Sequence, residues 1–125
     1  MTTAFFCDAA KDAALQYITT NGNELVICSQ LPATYTEAHT TYKLGTKASP
    51  TIGSPADDGT AGRKITVSAI TDGSVSGSGT ASHFAITKTG TSELLAAGPL
   101  SSSQSVTSGN TFTLTAFDIK LPDAA

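Results

Sequence analysis

The stretch RKITVSAI, from Arg63 to Ile70, alternates apolar and polar side chains. Ile65, Val67 and Ala69 share one parity, and the residues between them are polar. A period of two residues is typical of a β-strand that buries one face. We therefore predict that the chain is all β from this stretch onward.

Turn-forming residues divide the rest of the chain into short strands. Asp72 and Gly73 predict a tight turn. Further strands are predicted at 74–78, 80–88, 93–97, 104–106 and 111–121. Many short strands separated by turns are typical of a β-sandwich or a jelly-roll-like fold. We therefore assign the chain to the mainly β class, as a β-sandwich or jelly-roll-like domain with one short N-terminal α-helix and a long ordered loop.

The last predicted strand changes its parity part-way along. Phe112 and Leu114 share one parity, whereas Phe117 and Ile119 share the other. A one-residue slip turns every following side chain to the opposite face of the sheet. The slip near Ala116 therefore predicts either a β-bulge or a switch from one sheet to the other.

One helix is predicted before the strands, from about Asp8 to Asn21. The segment is rich in Ala, Asp8 is a suitable N-cap, and Asn21-Gly22 is a suitable stop. A helix of this length is marginal alone, so we expect one face to dock on the domain. Four residues at three- and four-residue spacing predict that face: Ala10, Ala14, Tyr17 and Ile18.

We predict a single domain over residues 1–125, which the sequence patterns divide into four parts. These parts are an N-terminal arm and helix (1–22), a strand (23–30), an extended loop (31–61) and the sandwich strands (62–125). The loop range shows little alternation, apart from a possible strand around 40–44. Because a connection of this length without regular structure is uncommon, we interpret it as an interaction arm.

Charged side chains are scarce in this sequence. They make up 14% of the residues, against about 25% in an average soluble domain. None occurs from Leu94 to Phe117, so strands in that range lack the charges that discourage edge-to-edge pairing. The net charge of −3, with scattered basic residues, argues against nucleic acid or an anionic membrane as a partner. Neither a transmembrane span nor a signal peptide is predicted.

The histidines and cysteines form no recognisable catalytic or metal-binding motif. His39 lies near an acidic residue, but zinc needs three or four convergent ligands. His83 has the parity opposite to that of Phe84, so we expect it on a solvent-facing or intersubunit face. Cys7 and Cys28 lack zinc-site spacing, and we expect two free, mostly buried thiols, the alternative being a disulfide between them.

Other polar motifs favour turns and strands over chemistry. Asp57-Asp58-Gly59 lacks the spacing of an EF-hand loop and is interpreted as a tight turn. Ser101-Ser102-Ser103 lies in no GxSxG motif, and Gly77-Ser78-Gly79 is followed by strand sequence where a phosphate site needs a helix. We therefore predict that the chain is not an enzyme and has no catalytic residue, cofactor or metal.

Four segments resemble a family of small structural proteins of tailed bacteriophages. They are ICSQLPATYTEA (27–38), GRKITV (62–67), GTASHFAI (79–86) and AFDIKLP (116–122). The resemblance covers most of the chain in order. It implies synthesis in the cytoplasm of an infected bacterium and incorporation into a virion, and it supplies no functional residues.

From the resemblance and the charge-poor β pattern we expect a capsid decoration or cement protein that binds and stabilises the lattice of the major capsid protein. We expect it to be a homo-oligomer. Five residues are predicted to lie at protein interfaces: Phe5, Phe6, Tyr35, Tyr42 and Ile52. The alternatives are a tail, head-to-tail connector or fibre-base component, and a β-sandwich that binds host-surface glycans.

Overall fold

One α-helix and nine β-strands make up the part of the chain that the computed structural model describes, residues 8–57 and 62–121. The helix is α1 (Asp8–Asn21). The strands are β1 (Glu24–Cys28), β2 (Lys43–Ala48), β3 (Ala56–Asp57), β4 (Arg63–Val67), β5 (Ile70–Val75), β6 (Gly79–Lys88), β7 (Glu93–Val106), β8 (Thr111–Leu114) and β9 (Phe117–Leu121). The fold is mainly β and compatible with a β-sandwich-like domain, which confirms the predicted class.

The strands form two antiparallel sheets. The larger sheet has the order β7-β6-β1-β2-β5-β8, and the smaller has the order β3-β4-β9. The main hydrophobic cluster combines side chains of both sheets, including Ile27 of β1, Val67 of β4 and Phe112 of β8. In β4 and β8 these side chains alternate with polar ones, and the cluster joins them to β1, so the core lies between the two sheets.

A single bent ribbon connects the two sheets. β4 pairs with β9 in the smaller sheet, and β5 pairs with β8 in the larger one. Val67 lies opposite Phe117, and Ile70 lies opposite Leu114, so both strands of the ribbon bend at the same level. The parity change near Ala116 is therefore a switch between sheets, one of the two outcomes predicted from the sequence.

The bend also accounts for two wrong predictions. Ala69 is exposed at the corner, although its parity predicted a core position. Asp72-Gly73 forms no turn but lies within β5, opposite β8. Gly73 has a packing role there, because a Cβ at this position would overlap the ring of Phe112.

The range 31–61, predicted as an extended loop, contains regular structure. β2 lies at the centre of the larger sheet between β1 and β5, where the sequence predicted only a possible strand around 40–44, so the extended loop is wrong for this part of the range. Its sequence, KLGTKA, alternates poorly because Gly45 occupies a buried position where Phe112 approaches closely. Before β2, a π-helical turn at Glu37–Thr41 places Ala38 against Val26 on the other face of the sheet.

Helix α1 docks with a different face from the predicted one. Lys11 and Leu15 are buried, and Ile18 is half-buried against the main core. Three of the four predicted contact residues are exposed: Ala10, Ala14 and Tyr17. The prediction failed because it excluded a lysine from the docking face, whereas the whole Lys11 side chain is buried there.

Two contacts fix the direction of α1 relative to β4. Near the start of the helix, Asp12 Oδ1 accepts a 2.8 Å hydrogen bond from Arg63 Nε, at the first residue of β4. Near its end, Thr19 donates to the Gly53 carbonyl, and the Gly53 N–H donates to the carbonyl of Thr66. The helix therefore runs alongside β4 in the same direction. No helix among the described residues is long and apolar enough to cross a membrane.

Candidate functional site

A cleft of about 240 Å³ opens between β7 and the corner that joins β8 to β9. Its walls are uncharged. The lining residues are Phe84, Pro99, Leu100, Ser101, Ser102, Gln104, Thr113, Leu114, Thr115 and Phe117. Because the volume is below the roughly 300–1,000 Å³ of pockets for drug-sized ligands, the cleft suits one or two side chains better than a large cofactor.

A bulge in β7 forms the first wall of the cleft. His83 pairs with Pro99 and Ala81 pairs with Gln104. Between these pairs β6 has only Ser82, whereas β7 has the four residues 100–103. The extra residues of β7 leave the regular ladder, as expected for a bulge beside a proline at a sheet edge.

The corner after β8 forms the opposite wall. Thr115 and Ala116 are exposed there, between the end of β8 in one sheet and the start of β9 in the other. The Gln104 side-chain amide donates a 3.0 Å hydrogen bond to the Thr113 carbonyl. This bond joins the two edge strands of the larger sheet at one end of the cleft, while the rest of the gap stays open.

The floor of the cleft is aromatic and aliphatic. The rings of Phe84 and Phe117 lie 4.6 Å apart, tilted by 48°. Leu100 and Leu114 complete the apolar lining, and hydroxyl and amide groups line the rim. This arrangement can bury an apolar side chain while the rim bonds to uncharged polar groups such as a peptide backbone.

Sequence patterns did not reveal this cleft. The segments 93–97 and 104–106 were predicted as separate strands, but they belong to the single strand β7. The available signal was Pro99, because a proline inside a strand is confined to an edge or a bulge. Ser101 and Ser102, predicted to be polar strand or turn groups, line the cleft on that bulge.

The comparisons with known proteins assign no function to the chain, so an assignment depends on the fold and the cleft. No protein-family model, curated protein or solved structure matches the chain. The resemblance to structural proteins of tailed bacteriophages stays a prediction.

The predicted interface residues lie outside the cleft. Tyr35 is half-buried and stacks on His39, with ring centroids 5.0 Å apart. Tyr42 packs against the smaller hydrophobic cluster, and Ile52 packs against the main core. Tyr42 and Ile52 therefore have clear roles within the domain itself. The remaining two predicted interface residues, Phe5 and Phe6, lie outside the described residues.

His39 belongs to a small polar network that anchors the π-helical turn to the sheet. Its Nδ1 lies 2.9 Å from Glu24 Oε1, which also accepts a 3.1 Å hydrogen bond from Thr87. Within residues 8–57 and 62–121, no group of three or more His, Cys, Asp or Glu side chains could hold a metal ion. The network ties β1 and β6 to the segment before β2.

His83 and Cys28 have partners that fit structural roles. His83 is half-buried, and its Nδ1 lies 2.7 Å from the Ser82 hydroxyl. Cys28 is a buried free thiol, as predicted, and burial raises its pKa to about 11. A thiol with this pKa is almost fully protonated at neutral pH and is a poor nucleophile. Cys7 lies outside the described residues.

The acidic motif at 57–59 is only partly described. Asp57 is the last residue of β3 and is exposed. Asp58 and Gly59 lie outside the described residues, so the predicted turn stays a prediction. Gly79 is the first residue of β6 and Gly77 lies just before that strand, and both lie near Leu44.

Proposed function

We propose that this chain is a structural protein of a tailed-bacteriophage virion, a decoration protein that binds and stabilises the lattice of the major capsid protein. It acts as a homo-oligomer after synthesis in the cytoplasm of the infected bacterium. It stabilises the lattice by mass action, because a protein that binds only the assembled lattice shifts the equilibrium toward assembly.

The observation that carries the proposal is the composition of the edge strand β7. This strand has fourteen residues, and its only charged side chain is Glu93 at the first position. β7 pairs only with β6 among the described strands. Soluble monomers commonly protect such an edge with charges, prolines or bulges. β7 has Pro99 and the bulge at 100–103 but no charge after Glu93, so its uncharged stretches on either side of the bulge favour coverage by another protein chain.

The cleft supports the same proposal. It is small and uncharged, and it lies between two edge strands. Symmetric assemblies combine many modest interfaces, and an uncharged cleft with an apolar floor is suited to one of them. The resemblance to phage structural proteins is the reason for proposing that this assembly is a virion.

Purified particles test this proposal. We expect the chain to co-purify with particles at hundreds of copies, measured by gel densitometry against the major capsid protein. About six to a few dozen copies would instead support the tail, connector or fibre-base alternative, and absence from particles would overturn the virion role.

A matched pair of variants tests the role of β7. Ser103→Lys places a charge on the exposed edge, and Thr107→Lys places the same charge just after the strand. We expect Ser103→Lys to reduce incorporation into particles about tenfold, because pairing would bury an unpaired charge, and we expect Thr107→Lys to incorporate normally. Equal incorporation of both variants contradicts the role of this edge.

The aromatic floor of the cleft favours one second candidate, the glycan-binding sandwich. Phe84 and Phe117 could contact the apolar face of a sugar, and the Gln104 amide lies at the rim. Retention of the isolated protein on host cells, lost in Phe117→Ala, would support this candidate. Retention equal to that of an unrelated protein would exclude it.

A further inference from the structure

We infer that the cleft between β7 and the β8–β9 corner receives Phe5 or Phe6 from a second copy of this chain. The inference deepens the proposed function and rests on its claim that copies of the chain contact one another in an assembly. It names the interface: the segment before α1 of one copy binds the cleft of the next.

The chemistry of the cleft selects an uncharged aromatic segment. The floor has the rings of Phe84 and Phe117, and the rim has hydroxyls and one amide. None of the lining side chains is charged. A charged group entering the cleft would lose hydration without gaining a charged partner, whereas an aromatic ring would gain contact with both phenyl rings.

Only one stretch outside the described residues has this chemistry. Residues 1–7 read MTTAFFC, with two adjacent phenylalanines and no charged side chain. The other two stretches read DGTA (58–61) and PDAA (122–125), and each contains an aspartate and no aromatic residue. Adjacent side chains of an extended segment point to opposite faces, so one ring would enter the cleft.

The direction of α1 favours phenylalanines of another copy over the chain's own. The helix begins about one turn beyond Arg63, at the end of β4 opposite to Val67 and Phe117. The start of α1 therefore lies about 19 Å along the domain from the level of Phe117. Phe5 precedes the helix by three residues, which span at most about 11 Å. This backbone reach is shorter than the distance to Phe117, so we assign the occupant to another copy.

The resulting contact is head-to-tail. The start of α1 and the cleft lie at opposite ends of β4, so the two surfaces of the contact differ. A contact of this kind forms a ring when the rotation between copies closes. An extended segment could also bond to the free backbone edge of β7, which would add to the burial of the ring.

Site-specific photo-crosslinking tests the contact in the full chain. Phe5 or, separately, Phe6 is replaced by p-benzoylphenylalanine, and unlabelled chains are mixed with ¹⁵N-labelled chains. After irradiation, we expect adducts between one labelled and one unlabelled chain, mapped by mass spectrometry to residues 99–104 or 113–117. The same analogue at Tyr17, an exposed position on α1, is the control and should give no adduct with the cleft. Adducts within one chain, adducts elsewhere, or none would overturn the inference.

Blocking variants provide an independent measurement. Ser102→Trp fills the cleft from its exposed rim, and Ser105→Trp places the same side chain on β7 outside the lining. We expect Ser102→Trp and the double variant Phe5→Ser/Phe6→Ser to weaken self-association at least about tenfold in sedimentation equilibrium. We expect Ser105→Trp to associate like the unmodified chain. Unchanged association of Ser102→Trp would count against the cleft.

The failure of this inference and that of the proposed function are distinguishable. Particles that contain the chain, but whose photo-adducts lie outside the cleft, overturn the inference and leave the virion role standing. Adducts in the cleft of a chain that is absent from particles overturn the virion role and leave the head-to-tail contact standing.

Discussion

The ring of Phe112 lies directly over Gly73 on the neighbouring strand. The two residues are opposite each other in the pairing of β5 with β8, and Phe112 is only 1% exposed. Gly45 on β2 also lies against this ring. The absence of side chains at both glycines makes room for an aromatic ring in the middle of the larger sheet.

Gly73→Ala should destabilise the fold. A Cβ at position 73 would overlap the Phe112 ring, and overpacking of a core costs about 1–3 kcal/mol. The free energy of unfolding, measured in urea, should fall by this amount. Gly90→Ala is the control, because a Cβ at Gly90 would meet nothing within 4 Å. A Gly73→Ala protein as stable as Gly90→Ala would show that the ring can move aside freely.

Removing the ion pair that anchors α1 should loosen the helix. Asp12 accepts hydrogen bonds of 2.8 and 3.2 Å from the Arg63 guanidinium, and both side chains are partly buried. We expect Asp12→Asn to reduce the free energy of unfolding by about 0.5–1.5 kcal/mol. The comparison is Asp72→Asn, whose carboxylate pairs with Lys47 but is 70% exposed. An equal effect of both substitutions would contradict the anchoring role of Asp12.

Cys28 should resist modification while the protein is folded. Its burial raises the pKa of the thiol to about 11, so little thiolate exists at pH 8. Cys7→Ser leaves Cys28 as the only thiol. We expect this variant to show almost no reaction with a thiol reagent at pH 8 until urea unfolds it. Stoichiometric labelling of the folded variant would contradict the burial of Cys28.

The same thiol should make stability fall at alkaline pH. Below the ordinary pKa of 9.0 the thiol is protonated in both states, whereas above it the unfolded chain loses its proton first. The free energy of unfolding should therefore decline as pH rises from about 9 to about 11. The decline should be smaller in Cys7→Ser/Cys28→Ala than in Cys7→Ser. Identical alkaline slopes would exclude Cys28 as the source.

Asp118 should contribute stability that disappears in acid. A 2.7 Å hydrogen bond from the Thr66 hydroxyl, and then the nearby Lys64, lower the pKa of this carboxyl below 3.8. The contribution is present above the ordinary pKa and is lost as pH falls through the lowered one. Asp118→Asn should cost up to about 1 kcal/mol at pH 7 and almost nothing once acid has protonated the carboxyl in the unmodified chain. A loss of stability that is the same at every pH would show that Asp118 acts through packing and not through its charge.

Alternation of apolar and polar residues predicted the strands well where one face of the strand is buried and the other is polar. The alternation that ends at Val67 marks β4, and the parity change near Ala116 marks the passage into β9. β2 was predicted only as a possible strand around 40–44, because its buried positions include Gly45, which adds no hydrophobic side chain to the pattern. Its place in the sheet depends on Phe112, a residue distant in sequence.

Sequence patterns could not predict the cleft, for a related reason. Its two walls come from β7 and from the β8–β9 corner, and they face each other only because the larger sheet curls until its edges approach. Pro99 could have indicated the bulge, but nothing local to that residue indicates Thr115 on the other side. Side-chain chemistry alone also misjudged α1, where Lys11 is buried and Tyr17 is 45% exposed.

The bent ribbon of β4–β5 with β8–β9 has a consequence for how the chain acquires its structure. Val67 can pair with Phe117 only after β5, β6, β7 and β8 have been synthesised, so the smaller sheet cannot be completed on a partly made chain. Pairings between such distant segments require a costly loop closure and slow the search for the native topology. We expect slow, late and cooperative folding, in which both layers form together once β9 has left the ribosome.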